Sequence, residues 1–166
     1  MRVLGDAKKI GLASPAIARR LLIPRSNPIV HRTRGGHMRA LSKDTKNKDS
    51  GAPSYYVVDE YHAHPNSEIY DLGMNSFGKR AQSLLDVITT AGDDAGSKPC
   101  YTEELYAKRV LEDPTVTDES YFVMIRELDE GDNPHNEALW AKPNPCLRYP
   151  SEYSEILLKQ IRDEHS

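Results

Sequence analysis

Cysteine is scarce in this chain: Cys100 and Cys146 are the only two in 166 residues. They are too few for a disulfide framework, and neither sits in the paired C-x-x-C spacing of a zinc site, so both read as reduced thiols. Long apolar runs are missing as well. No stretch approaches the ~18–20 residues needed to cross a bilayer, and no apolar h-region follows Arg2. That excludes a spanning helix and a secretory signal and predicts a chain that stays in the cytoplasm. No internal repeat or low-complexity segment is present, which excludes a repeat array. With 38% apolar and 28% charged residues, what remains is one ordinary globular domain with a modest core.

The net charge of -3 conceals an asymmetry. Residues 1–48 hold 12 Lys and Arg against Asp6 and Asp44, a net of +10, while the remainder holds 10 basic and 23 acidic residues, a net of -13. Basic N-terminal segments can bind phosphate backbones. A solvated helix face with an exposed hairpin produces the same composition, and no aromatic stacking residue precedes Tyr55.

The pattern predicts a helix over 6–22, with Pro15 as a break or a start, then a hairpin whose turn is Arg34-Gly35-Gly36 between residues 28–32 and 37–41. A polar loop over 42–54 leads into an apolar strand at 55–59. A helix capped at Asn66 or Ser67 and running to about Phe77 follows, then a buried strand over 84–89, a helix over 102–111 and a third strand over 121–128. Pro134 opens a short helix carrying Leu139 and Trp140, Pro143 and Pro145 end it, and an amphipathic helix occupies 153–161. Strand and helix in alternation imply right-handed crossovers and a mostly parallel sheet, hence an α/β fold.

The chemistry concentrates at Tyr55-Tyr56-Val57-Val58-Asp59-Glu60-Tyr61-His62-Ala63-His64. A strand ending in Asp-Glu sets both carboxylates at the C-terminal edge of the sheet, where open α/β sheets bind ligands. There they suit a magnesium nucleotide site, because phosphoryl transfer needs a metal to neutralise phosphate charge and a carboxylate near the nucleophile. Strands also end in acids for turn and capping reasons. His62 and His64 admit a second reading, a zinc hydrolase. His-x-His-Pro opens the signature of the JAMM metalloproteases, which then requires a Ser-x-x-Asp soon after the proline. Here Ser76 is followed by Lys79 in that spacing, and Ser83 with Asp86 lies too far along, so the third ligand is missing from its place. The second strand ends in Ile88-Thr89-Thr90-Ala91-Gly92, where hydroxyls and small residues can contact a phosphate or simply leave the sheet.

Five short motifs in register carry a resemblance: Arg39-Ala40-Leu41-Ser42-Lys43-Asp44, Val57-Val58-Asp59-Glu60-Tyr61-His62-Ala63-His64, Ile88-Thr89-Thr90-Ala91-Gly92, Glu127-Leu128-Asp129-Glu130-Gly131-Asp132 and Trp140-Ala141-Lys142-Pro143-Asn144-Pro145. In order and spacing the chain resembles tailed-phage terminase large subunits from about Arg25 to Leu147. The resemblance implies a partial P-loop NTPase-type sheet flanked by helices, with an N-terminal hairpin and C-terminal helices. It implies the ATPase motor that packages phage DNA into procapsids, usually joined to a nuclease, using ATP and Mg2+. By position Asp59 resembles the magnesium-associated acid of the Walker B motif, and Glu60 the catalytic carboxylate. Thr89, Thr90, Ala91 and Gly92 resemble the motif coupling nucleotide state to DNA movement. The loop over 42–49 and Arg80 become candidates for facing a phosphate or another subunit, and His62 and His64 become packing residues beyond the carboxylates. Implied partners are phage DNA, a terminase small subunit, a portal protein and further copies of the chain, in the bacterial host cytoplasm and away from any membrane.

One motif is absent. No complete Gly-x-x-x-x-Gly-Lys-Ser/Thr run occurs: Gly73-x-x-x-x-Gly78-Lys79 is followed by Arg80 where the hydroxyl belongs, and Gly96-Ser97 lacks both the upstream glycine and the lysine. The expectation is therefore a terminase piece without the P-loop and the nuclease acids, catalytically incomplete by itself. Residues 1–147 would be the partial ATPase domain and 148–166 the start of a linker. A sheet of this kind would expose an edge and an apolar face. The alternative from another class is a non-catalytic module that uses the basic N-terminal segment to bind DNA or a packaging partner.

Overall fold

The computed structural model describes residues 2–26, 28–41, 51–91 and 98–165. The chain divides into two units, Met1–Tyr101 and Thr102–Ser166. In the first, α1 (Arg2–Ala13) and α2 (Pro15–Ala18) replace the single predicted helix. Pro15 sits in the first turn of α2, where its missing N–H costs nothing, and Ser14 in extended conformation breaks the run. Leu21 and Leu22, expected to be helical, instead form β1 and pair antiparallel with β2 (Ile29–His31), which pairs in turn with β3 (His37–Met38). The predicted hairpin is thus present, with Gly35 at φ 69° in its turn. The unexpected third strand gives it backbone partners that a lone hairpin lacks.

The second sheet of this unit pairs β4 (Tyr55–Asp59) with β5 (Leu84–Ile88) in parallel, Tyr55 opposite Leu84 through Asp59 opposite Ile88. Between them runs α3 (Glu68–Met74), as a parallel connection requires. The helix lies close on the sheet at Gly73. A Cβ there would come within 2.7 Å of Leu85 Cδ1 and 2.8 Å of Tyr56 Cδ1, which explains a glycine inside a helix, where it otherwise costs about 1 kcal/mol. Ser76 Oγ donates to the Gly73 carbonyl at 2.6 Å and satisfies one orphan acceptor at the helix end. Along β4, Tyr56 and Val58 face α3, while Tyr55 and Val57 are exposed, as are Leu84 and Ile88 on β5. The strand expected to be buried at 84–89 therefore keeps much of its apolar surface in the open. Arg80, a candidate from sequence for facing a phosphate or another subunit, donates its Nε to the Ala52 carbonyl and ties down the approach to β4. Residues 42–50 of the loop before it lie outside the described residues.

The division between units falls within α4 (Pro99–Glu112). In the second unit, residues 121–128 correct the expectation of a third strand. Their burial alternates, yet among the described residues they have no ladder partner, and Phe122 is 85% exposed. Period-2 patterning reports which side chains face a surface, whereas a strand also needs a neighbour for its backbone groups. The segment is held by side chains: Tyr121 meets the Tyr106 ring edge-on at 5.0 Å, and Lys108 pairs with Glu127 at 3.3 Å. The helix expected after Pro134 is a single 3₁₀ turn, Glu137–Leu139, capped by Asn136. Trp140, 4% exposed, donates its indole N–H to the Pro134 carbonyl at 2.7 Å and stacks on His165 of α5 (Glu152–His165).

Two of the sequence motifs meet here. Lys142 Nζ lies 2.5 Å from both Asp129 Oδ2 and Asp132 Oδ2, and Asp132 Oδ2 also accepts the Asp129 N–H. Hydrogen bonding to Lys142 holds the Asp132 carboxyl below its ordinary value, and Asp129 and Asp132 push Lys142 upward. A carboxyl with a lowered folded pKa stabilises above its unfolded pKa and loses that contribution as pH falls through the folded value. Lys142→Met is therefore expected to melt below the wild type between about pH 4 and 10.5, with the gap closing below about pH 4. Paired thermal melts across pH check this, and a gap unchanged at pH 3 would contradict it.

Candidate functional site

The site grows from the end of β4. Val58 and Tyr61, each 1% exposed, bracket Asp59 and Glu60 and form a core cluster with Cys100, packed by Tyr56, Ile69 and Tyr70. Three positions apart in a regular strand, Val58 and Tyr61 would lie on opposite faces. The chain resolves this at Glu60, which takes φ 53° and ψ 48°, the one non-glycine residue with positive φ among those described. That turn returns Tyr61 to the core, stacked on Tyr70 at 5.4 Å, and leaves both carboxylates in the open. A left-handed non-glycine residue costs about 1–3 kcal/mol and such residues cluster at functional sites.

The register sets the second half of the site beside the first. Asp59 pairs with Ile88, so Thr89 and Thr90 leave β5 where Glu60 leaves β4. His62 joins the two. Its main-chain N–H donates to Thr89 Oγ1 at 2.9 Å, and its Nδ1 lies 3.1 Å from Thr89 Oγ1, 3.3 Å from Thr90 Oγ1 and 3.4 Å from Glu60 Oε2. Thr89 also donates to the Thr90 carbonyl at 3.0 Å, and the Cys100 thiol lies 3.8 Å from its hydroxyl oxygen. His64 turns elsewhere, with Nε2 3.1 Å from the Asp59 carbonyl and its ring edge against Tyr61.

The structure thus gathers Asp59, Glu60, Thr89 and Thr90 at one sheet edge, with Ala91 exposed just beyond; Gly92 lies outside the described residues. His62 and His64 take separate partners, and no group of three His, Cys, Asp or Glu able to hold a metal ion occurs among the described residues. The zinc reading gains no third ligand from the fold. The carboxylate oxygens at the β4 end do suit magnesium, a hard cation usually held by one or two carboxylates with waters and substrate phosphates completing its shell. Sequence alone leaves His62 as packing. Its signal exists only in combination, two residues after Glu60 and beside a threonine pair ending the neighbouring strand.

Residues 6–109 match the family described as "Terminase large subunit, ATPase domain". The chain is 35% identical over 118 residues to Protein YmfN of Escherichia coli (strain K12), covering 71% of this chain and 25% of that protein. Its fold matches the crystal structure of the HK97 bacteriophage large terminase with a TM-score of 0.72 at 19% identity, covering 98% of this chain and 33% of that one. The chain thus spans about a quarter and a third of these relatives' lengths. With the family match extending over more than half of its residues, the chain belongs to the terminase large subunit family, in its ATPase domain.

Proposed function

We propose that this chain carries the carboxylate half of the ATP-hydrolysing site of a phage DNA-packaging motor. The observation that carries this reading is the register of β4 against β5, which sets Asp59 and Glu60 beside Thr89 and Thr90 at one sheet edge. Bound magnesium would supply charge neutralisation at the phosphates. Asp59 would hold the ion, and Glu60 would orient the attacking water and accept its proton. The residues 89–92 pass the state of that site towards DNA. Phage DNA, a terminase small subunit, a portal protein and further copies of the chain are the partners this role requires, in the bacterial host cytoplasm. No helix among the described residues is long and apolar enough to cross a membrane.

The 166 residues hold no complete Gly-x-x-x-x-Gly-Lys-Ser/Thr run: Arg80 follows Gly73-x-x-x-x-Gly78-Lys79, and that stretch leads from α3 into β5 rather than from a strand into a helix, so the phosphates lack a P-loop within this sequence. ATP turnover by the chain alone is expected to be at background, and to appear when a polypeptide carrying a P-loop strand and helix is supplied. Turnover by the chain alone that Glu60→Gln abolishes would overturn the claim of incompleteness.

A second reading, a DNA-contacting surface on the basic segment, has one specific observation in its favour. The Arg32 N–H donates to the Arg20 carbonyl at 2.9 Å, so two arginines face each other across β1 and β2, where like charges repel unless an anion lies between them. Arg19 and Arg32 line an open concavity with Pro15 and Ala18. Replacing Arg32, Arg34 and Arg39 by Ala is expected to weaken duplex DNA binding and flatten its salt dependence, by about 0.9 in the log–log slope for each phosphate no longer neutralised. Filter binding across a salt series reads both, and an unchanged slope rules this surface out.

A further inference from the structure

We propose that His62 is a positioning residue linking the Glu60 carboxylate to the Thr89–Thr90 end of β5 through hydrogen bonds that exclude one another. Its meaning for a motor rests on the role given to Glu60 above, whereas the linkage itself rests on geometry. One ring nitrogen, Nδ1, faces three oxygens: Thr89 Oγ1 at 3.1 Å, Thr90 Oγ1 at 3.3 Å and Glu60 Oε2 at 3.4 Å. Without a proton, Nδ1 would point its lone pair at a carboxylate, so the tautomer that carries its proton on Nδ1 fits these neighbours. A single N–H then has three acceptors and serves one of them well. When Glu60 turns to water or ligand, the N–H is given wholly to the threonines; when Glu60 returns, it competes for that bond.

The surroundings make this choice consequential. His62 cannot drift from the threonines, because its main-chain N–H is bonded to Thr89 Oγ1 at 2.9 Å. Thr89 directs its own proton to the Thr90 carbonyl, which leaves its oxygen as an acceptor for the ring. Glu60 is held by backbone rather than by packing, since its φ of 53° is fixed by the burial of Val58 and Tyr61 on either side while its carboxylate is exposed. An exposed carboxylate, a tethered imidazole and an acceptor pair leading out of the adjacent strand form a relay in which the side chain of Glu60 has open solvent to turn into.

The test follows threonine methyl and backbone amide resonances of the 166-residue chain by NMR. Glu60→Gln is expected to shift the Thr89 and Thr90 methyl signals, with the His62 Nδ1 nitrogen resonating as the protonated type. In a His62→Phe background, which keeps a ring without the nitrogen, the same Glu60→Gln response is expected to fall by about threefold or more, and in His62→Asn, whose amide reaches the Nδ1 position, to return. His62→Gln, whose amide reaches the Nε2 position instead, replaces the Phe variant should that one not fold. An undiminished response in the His62→Phe or His62→Gln background overturns the linkage. Titration with magnesium alone, read at the Asp59 and Glu60 amides, separates the two ideas. Silence there with an intact His62-dependent response refutes the metal reading and supports the linkage; a magnesium response with no His62 dependence does the reverse.

Discussion

Replacing Tyr61 by Ala is expected to destabilise the first unit by about 3–5 kcal/mol, the cost of removing a large aromatic side chain from a packed core. Tyr61 is 1% exposed, stacks on Tyr70 and receives the edge of His64, and it shares its cluster with Val58 and Cys100. Small domains are stable by only about 5–15 kcal/mol, so the loss takes a large share of what is available. This sheet also leaves Tyr55, Val57, Leu84 and Ile88 exposed, which lowers its share of burial further. Tyr61→Phe keeps the ring and is expected to cost about 1 kcal/mol. Urea denaturation followed by near-UV circular dichroism reads the difference between the two variants. Equal midpoints for Tyr61→Ala and wild type would show that the Glu60 turn is not set by burial of its neighbour.

Much of the site was legible in the sequence because it rests on local patterns. Four apolar residues closed by Asp59 and Glu60 announce a strand and its edge, and Gly35 with Gly36 announces the hairpin turn. What was hidden depends on partners distant in the chain. The helix predicted over 6–22 failed at Leu21 and Leu22 because pairing with His31 and Val30 outweighed helical periodicity. Residues 121–128 carried a correct alternation without a strand to pair with. Glutamate has no preference for the left-handed region, so nothing in the letters Asp-Glu-Tyr foretold the backbone at Glu60. The approach of His62 to Thr89 and Thr90 crosses 27 and 28 positions and exists only once the β4 and β5 register is fixed.

Glu60→Gln is expected to lower ATP turnover by about 10²–10⁴-fold, the range for losing a positioned general base, once a P-loop polypeptide has restored activity. The amide keeps the size of the side chain and its hydrogen-bonding reach but cannot accept the proton of the attacking water. Stability should hardly change, because the carboxylate is exposed and its approach to the His62 ring is a long one at 3.4 Å. Glu60→Gly sharpens the contrast. It removes the carboxylate and relieves a backbone at φ 53°, so relief of about 1–2 kcal/mol set against about 0.5–1 kcal/mol of extra chain entropy leaves a slightly more stable, inactive protein. Side chains held in a strained conformation at a cost in stability are kept for what they do. A Glu60→Gly protein that melts lower than wild type would mean that the strain is absent, and one that retains turnover would remove Glu60 from the chemistry.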